Sequence, residues 1–277
     1  MTYKDLYYLG VDILEDALEE PEIAKLTLAY ILDKQQNEIY LYFDDEVEEE
    51  KARYFINIIY HFIDYSEPIQ YLLGQTYFYG RKFLLNENVL IPRPETETLV
   101  DLIIKKFPDQ LKVLEIGTGS GIIGITLNKE KNYDILATDI SAGALEVAIA
   151  NAELNEANIE FREGSLYSKI KPDEVFDLIV SNPPYLTKNY LIDQVVEFEP
   201  EIALYGGAEG LDIIEGIIKD ADKFLSPNGI IVLEHNPEQA LKIMIMAKKH
   251  IKNSHVYLLK DLAGRKRITL IRKVNEK

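Results

Sequence analysis

Apolar positions along this chain follow two different rhythms, and the change from one to the other falls near Gly74. Before it, three groups sit at helical spacing: Leu6, Leu9, Ile13 and Leu14; then Ile23, Leu26, Tyr30 and Ile31; then Phe55, Ile58, Ile59 and Phe62. They predict amphipathic helices within residues 3–65. The acidic stretch Asp44 to Lys51 precedes the third group and would open that helix, because negative charge suits a helix N-terminus. After Gly74, residues 76–79, 82–85 and 89–91 read as short strands joined by turns at Gly80-Arg81 and Asn86-Glu87-Asn88. Pro92 and Pro94 end this run, and Glu95-Thr96-Glu97 reads as the acidic start of a helix carrying Leu99, Leu102 and Ile103.

Beyond that point strand-length apolar runs alternate with longer helical patterns. Strands are expected over 112–116, 135–138, 159–162, 176–180 and 229–234, with helices from 122, over 142–154, 211–224 and 238–250. Such alternation implies βαβ units and a parallel sheet. Two last strands, 256–259 and 268–271, are separated by too few residues for a helical crossover and should pair antiparallel. The expected organisation is a helical N-terminal domain over 1–73, a β-hairpin linker over 74–92 and an α/β domain over 93–277.

Composition narrows the function class. The 277 residues and 47% hydrophobic content suit one large domain plus a small one. The absence of cysteine removes disulfides, thiolate metal sites and cysteine nucleophiles. Met1-Thr2-Tyr3-Lys4-Asp5 lacks the basic-then-apolar pattern of a leader, and no apolar stretch approaches the ~18 residues of a membrane helix. A cytoplasmic protein with no membrane partner is expected, and a monomer. The net charge of -17 argues against gripping nucleic acid over a broad surface. The charge is uneven: residues 1–66 hold 5 Lys/Arg against 16 Asp/Glu, whereas 248–277 hold 10 against 2. Both segments read as solvated faces, and the acidic one would also suit a basic partner protein.

Two motifs carry chemistry. The first is Glu115-Ile116-Gly117-Thr118-Gly119-Ser120-Gly121, placed between a predicted strand and a predicted helix. Its glycines let the backbone turn sharply and approach a ligand with no Cβ in the way. Asp139 ends the next strand, where a carboxylate accepts hydrogen bonds from both hydroxyls of a ribose. Strand, helix and acid together favour a nucleotide-like cofactor over a bare tight turn. The loop alone does not choose between NAD and S-adenosylmethionine. Its pattern is G-x-G-x-G preceded by an acid, however, not the G-x-G-x-x-G of dinucleotide enzymes. Glu115 fits two roles equally: a carboxylate beside the cationic methionine end of S-adenosylmethionine, or a buried acid capping the loop's amides.

The second motif is Asn182-Pro183-Pro184-Tyr185, directly after the apolar run Phe176-Asp177-Leu178-Ile179-Val180-Ser181. It is therefore presented at the carboxyl end of a buried strand, the edge where open α/β sheets bind ligands. A carboxamide or exocyclic amine is a poor nucleophile because its lone pair is delocalised. Two acceptors holding its two N–H bonds turn that lone pair toward a methyl donor. The side-chain oxygen of Asn182 and the backbone carbonyl of Pro183 are the two candidates. Consecutive prolines stiffen the turn, and Tyr185 offers a flat face for a planar group. This is orientation plus electrostatics, so no strong general base is required. None of the four histidines lies in either motif, and His235, after Leu233-Glu234, reads as structural. The two motifs together indicate a methyltransferase.

With these residues in view, the chain resembles the bacterial release factor glutamine methyltransferases almost end to end. Pro68-Ile69-Gln70-Tyr71-Leu72-Leu73-Gly74, Phe78-Tyr79-Gly80 and above all Val89-Leu90-Ile91-Pro92-Arg93-Pro94-Glu95-Thr96-Glu97 match that family. Glu199-Pro200, Ala203-Leu204, Gly206-Gly207, Leu233-Glu234 and Asp261-Leu262-Ala263-Gly264-Arg265 follow in the expected order. The resemblance implies a class I S-adenosylmethionine-dependent methyltransferase domain: a Rossmann-like, mostly parallel sheet with an antiparallel last strand. It also implies a small helical N-terminal domain that helps recognise the substrate. Its reaction would be methylation of the side-chain amide of the glutamine in the Gly-Gly-Gln motif of peptide chain release factors. The implied cofactor contacts are Gly117, Thr118, Gly119, Ser120, Gly121, Asp139, Ser165, Leu166 and Asn182, with Glu115 alongside. Substrate contacts would come from Asn182, Pro183, Pro184 and Tyr185, with Arg93 and Glu97 near the mouth of the site; Arg93 reads nearly as well as a structural ion-pair partner.

The chain departs from the family at three points. Gly164-Ser165-Leu166 stands where many related enzymes carry an acid toward the adenine amino group, Glu209 stands where aspartate is usual, and Asn236 where glycine is common. Two other readings stay open at this level. An amino-methyltransferase acting on adenine in DNA or on RNA would use the same two-acceptor logic, and a binding module would keep the fold without turnover. The net charge of -17 weighs against the first, and the presence of both intact motifs against the second.

Overall fold

Residues 1–188 and 197–274 are described by the computed structural model. They fall into two units, one of Met1–Gly80 together with Glu197 and Phe198, and one of the other described residues from Arg81 on. The division lies inside the hairpin expected over 74–92, at Tyr79 and Gly80, which both have positive φ (50° and 73°).

The first unit is built on α1 (Tyr3–Asp16), α2 (Glu22–Leu32) and α3 (Glu49–Tyr65), followed by the single turn α4 (Ile69–Leu72) and β1 (Gln75–Phe78). Thr2 and Asp5 form a capping box at the start of α1. As the acidic stretch predicts, α3 opens on Glu49 and Glu50. Leu6, Leu14, Leu28, Phe55 and Ile59 are fully buried in its core. One expectation fails in α1: Leu9 is 39% exposed, and the buried stripe runs Tyr3, Leu6, Gly10, Leu14. Gly10 takes the inward position because α3 comes close there. A Cβ at Gly10 would lie 2.7 Å from Phe55 Cε1 and 2.8 Å from Ile59 Cδ1.

The second unit begins with β2 (Arg81–Leu84) and α5 (Pro94–Lys106). The strand expected at 89–91 does not form. Pro92 and Pro94 supply no N–H, Val89 N donates to Asn86 O in a turn, and Ile91 N donates to the Glu199 carboxylate. Then come β3 (Lys112–Ile116), α6 (Ile122–Lys131), β4 (Asp134–Asp139), α7 (Ala142–Leu154), β5 (Ile159–Glu163), β6 (Phe176–Ser181), the short α8 (Glu201–Leu204), α9 (Asp212–Ala221), β7 (Leu225–Glu234), α10 (Ala240–His250), β8 (Ser254–Lys260) and β9 (Lys266–Lys273). The strands form one seven-stranded sheet in the order β5-β4-β3-β6-β7-β9-β8. The first five are parallel, and β9 runs antiparallel to both its neighbours.

The parallel strands are covered on both faces, so they read as continuous apolar runs rather than alternating ones. Leu114, Ile179, Ile231 and Ile271 lie in one core cluster with Ile214, Ile217 and Ile218 of α9. Strand order reverses direction at β3, which pairs with β4 on one side and β6 on the other. That switch point opens a crevice at the strands' carboxyl ends. No helix among the described residues is long and apolar enough to cross a membrane.

Candidate active site

The sheet order brings the two motifs together. Glu115 of β3 lies opposite Val180 of β6, so the chain leaving β3 at Gly117 and the chain leaving β6 at Asn182 emerge side by side. Ser181 Oγ donates to Ile116 O at 2.6 Å and ties the two strand ends.

Gly117, Gly119 and Gly121 all have positive φ (71°, 54° and 82°), which only glycine adopts without strain. Gly117 N and Thr118 N both donate to Thr138 O, at 2.8 and 3.0 Å, and Gly119 N donates to Asp139 Oδ2 at 2.9 Å. Cβ atoms built on Gly117 or Gly119 would meet nothing within 4 Å, so the loop leaves open space at the cavity it lines. Gly121 differs. It caps α6 and faces Ile125 and Ala148 rather than the cavity.

Asp139 stands at the rim of this cavity, with Oδ1 accepting from Ser141 N at 2.9 Å. Burial raises its pKa, and the backbone N–H bonds oppose that rise. Ser165 and Leu166 line the same cavity, as do Thr118 and Ser120 of the loop. The donor set fits a nucleoside carrying a ribose, with a carboxylate for its hydroxyls and a glycine cradle beside it.

Glu115 lies beneath the loop and does not line the cavity. It is 1% exposed, and its Oε2 accepts from Thr118 Oγ1 at 2.8 Å and from Gly124 N at 3.1 Å. Of the two roles open to it in the sequence, this geometry is that of the buried capping acid. Burial pushes its pKa up to about 8, against the pull of those two bonds and with a further push from Asp139.

In the Asn182-Pro183-Pro184-Tyr185 turn, the candidate acceptor turn, Asn182 and Pro184 line the cavity, while Pro183 is buried. Asn182 Nδ2 donates to Thr96 Oγ1 at 3.1 Å, and Thr96 Oγ1 donates to Glu234 Oε2 at 2.9 Å. Asn182 Oδ1 takes no hydrogen bond from the described residues. Tyr185 is not among the described cavity-lining residues. It packs against the sheet's core cluster, and Arg267 Nη1 lies 3.5 Å from its hydroxyl. The turn is pinned from behind: Gln239 Nε2 donates to Tyr185 O at 2.9 Å, Gly210 O at 3.0 Å and Glu209 O at 3.1 Å. Gly206 and Gly210 pack so closely on this turn that a Cβ on either would collide with the carbonyl of Pro184 or Tyr185.

Arg93 lines the cavity and pairs with Glu199, whose other oxygen accepts from Ile91 N at 2.8 Å. Glu199 is buried, and that burial raises its pKa against the attraction of Arg93. Glu97 is half-buried in the first turn of α5 and is not among the described cavity-lining residues. His235 is fully buried. Its Nδ1 lies 2.9 Å from Asn236 O and its Nε2 lies 2.8 Å from Thr269 Oγ1. Burial lowers its pKa to about 4, so it is neutral and structural. Among the described residues, no group of histidines and carboxylates is arranged to hold a metal.

Sequence reading assigned no site role to Thr96, Glu199, Glu234 or Gln239 as individual residues. Each is buried and polar, and a polar residue inside an apolar run, as Glu234 is after Ile230-Ile231-Val232-Leu233, is the signal that marks such a group.

A parallel sheet with an antiparallel β9, a glycine loop after β3, a carboxylate after β4 and Asn-Pro-Pro-Tyr after β6 define a class I S-adenosylmethionine-dependent methyltransferase. The Methyltransferase small domain family matches residues 94–198. A release factor glutamine methyltransferase of Koribacter versatilis (strain Ellin345) is 40% identical over 84% of this chain and 86% of its own length. That of Bacillus subtilis (strain 168) is 35% identical over 92% of both chains. The chain belongs to the release factor glutamine methyltransferase family. Among solved structures, a ribosomal protein L11 methylase from Lactobacillus delbrueckii subsp. bulgaricus superposes with a TM-score of 0.52 at 26% identity, over 69% of this chain and 84% of that one.

Proposed function

We propose that this chain transfers a methyl group from S-adenosylmethionine to the side-chain amide nitrogen of the glutamine in the Gly-Gly-Gln motif of peptide chain release factors. The observation that carries the reading is the carboxamide of Asn182, its Nδ2 bonded to Thr96 and its Oδ1 taking no bond from the described residues, beside the glycine loop in one cavity. Family membership supports the release factor as substrate.

Asn182 Oδ1 accepts one amide N–H of the substrate and the Pro183 carbonyl accepts the other. Held in this way, the nitrogen turns its lone pair out of conjugation and toward the cofactor side of the cavity. Gly117, Gly119 and Asp139 would hold S-adenosylmethionine, which when bound would supply an electrophilic methyl group with a neutral thioether as leaving group. The nitrogen gains the N–C bond, and one of its two protons leaves to solvent. The acceptors also favour the positive charge that builds on nitrogen as that bond forms. Gln239 and the glycines at 206 and 210 keep the turn from yielding as the substrate enters.

The helical unit of residues 1–80 would recognise the release factor, and its excess of Asp and Glu suits a basic partner. The protein would work in the cytoplasm, where translation ends. The test is methyl transfer from labelled S-adenosylmethionine to purified release factor, beside the same factor carrying Gln→Ala in its Gly-Gly-Gln loop. Label on the unmodified factor alone supports the reading. Label on both, or on neither, rejects it.

A further inference from the structure

We infer that Thr96 and Glu234 act as positioning residues for methyl transfer, setting which end of the Asn182 carboxamide faces the acceptor nitrogen. The inference rests on the reading of Asn182 as the acceptor-holding residue.

An asparagine side chain has two ends of similar size and opposite hydrogen-bonding sense. Only the oxygen end can hold the N–H of a substrate amide; the NH2 end would meet it donor to donor. Something must therefore choose between the two orientations. Asn182 is joined to Thr96 at 3.1 Å, and Thr96 to Glu234 at 2.9 Å. Thr96 is fully buried and Glu234 is 1% exposed, so the bond between them is shielded from water.

Glu234 Oε2 accepts from Thr96 at 2.9 Å, and a carboxyl oxygen that carries no proton can only accept. The single hydroxyl proton of Thr96 is thus drawn to Glu234 Oε2, which leaves Thr96 Oγ1 as an acceptor toward Asn182. That acceptor selects the NH2 end, and Oδ1 is turned to the cavity. The direction of the chain starts at Glu234 and ends at the substrate. Its other oxygen, Oε1, is buried and has no hydrogen-bond partner within bonding geometry among the described residues, so the bond from Thr96 falls on Oε2. The charged and titratable groups facing it are Arg267 of β9, Glu95 at the start of α5 and Tyr185 of the acceptor turn. Thr96, in the first turn of α5, also lines the cavity, whereas Glu234 of β7 is not among its described lining residues and acts only through Thr96.

The test uses the full chain and two readouts. In steady-state methylation of release factor, Thr96→Val should lower kcat roughly tenfold or more while S-adenosylmethionine affinity changes by less than about threefold. Thr96→Ser, which keeps the hydroxyl, should recover most of the lost kcat. Glu234→Gln can donate to Thr96 through its amide and so release the direction of the chain; it should lose kcat as Thr96→Val does. Independently of turnover, the 15N-labelled side-chain amide of Asn182 should show one proton protected from exchange in the wild-type protein and in Thr96→Ser, and unprotected in Thr96→Val. A folded Thr96→Val variant with wild-type kcat, or with an Asn182 amide as protected as in the wild type, overturns the inference. Should the wild-type protein fail to methylate release factor, the proposed function falls, and the amide measurement still decides the relay.

Discussion

Gly124 and Glu115 occupy one another's space. The glycine N–H donates to Glu115 Oε2 at 3.1 Å, and a Cβ at position 124 would fall on that same oxygen. The carboxyl group that caps the glycine loop from below therefore depends on the absence of a side chain in the first turn of α6. Gly124→Ala should displace Glu115, strand Thr118 Oγ1 and lower stability by roughly 1–3 kcal/mol, the penalty of a buried polar group left unpaired. Denaturant unfolding measures the loss. Titration of S-adenosylmethionine should show weaker binding, because the loop is carried by the displaced bonds. Unchanged stability and affinity would show that Glu115 does not support the loop.

Glu115 also gives the fold a pH dependence of uncommon sign for a carboxylate. Its pKa is raised in the folded protein, to about 8, by burial first of all. The folded state then holds its proton more tightly than the unfolded state does. Between the ordinary carboxyl value and about 8, stability from this group is greatest at the acid end and declines as pH rises. Glu234, raised to about 7, acts in the same direction over a shorter window. Thermal midpoints measured from about pH 5 to about pH 9 should fall, and Glu115→Gln should flatten the decline. An equal slope in the variant would mean that Glu115 does not titrate there.

Asn182→Ala removes the proposed acceptor and leaves the glycine loop and Asp139 in place. Methyl transfer should fall by about 100-fold or more, with S-adenosylmethionine affinity within about threefold of wild type. Calorimetric titration beside single-turnover kinetics separates the two. A variant that transfers methyl groups normally would remove Asn182 from the chemistry.

Gln239 offers a different disruption of the same turn. Its amide nitrogen satisfies the carbonyls of Tyr185, Gly210 and Glu209, and its oxygen accepts from Asn236 N at 3.1 Å. Gln239→Leu keeps the bulk and loses every one of those bonds. Expected are a stability loss of roughly 1–3 kcal/mol and a lower kcat from a turn that is no longer held. Circular dichroism melts and methyl-transfer rates on one preparation check both. A loss of stability with kcat unchanged would show that the turn holds its shape without Gln239.

Much of the sheet was legible because its signals are local. A run such as Phe176 to Ser181 is mostly apolar and buried on both faces, and helix α7 follows its pattern over residues 142–154 as expected. The glycine loop and the acceptor turn announce themselves by residue type. What the linear pattern does not carry is pairing across distance. Glu199 takes the N–H of Ile91 from 108 positions away, and that bond helps to turn an expected strand into irregular chain. Thr96 reaches Glu234 across 138 positions. Leu9 and Gly10 exchange places for a related reason: the periodicity of α1 alone cannot show how near α3 will come.

The backbone amides of Gly117, Thr118 and Gly119 already have their partners in Thr138 and Asp139. Such a loop is preorganised. Ligand binding need not order it, so association should carry little conformational entropy cost and a heat-capacity change set by buried surface rather than by folding of the loop. If this loop holds the cofactor as proposed, spent cofactor exchanges for fresh without the site being rebuilt between turnovers.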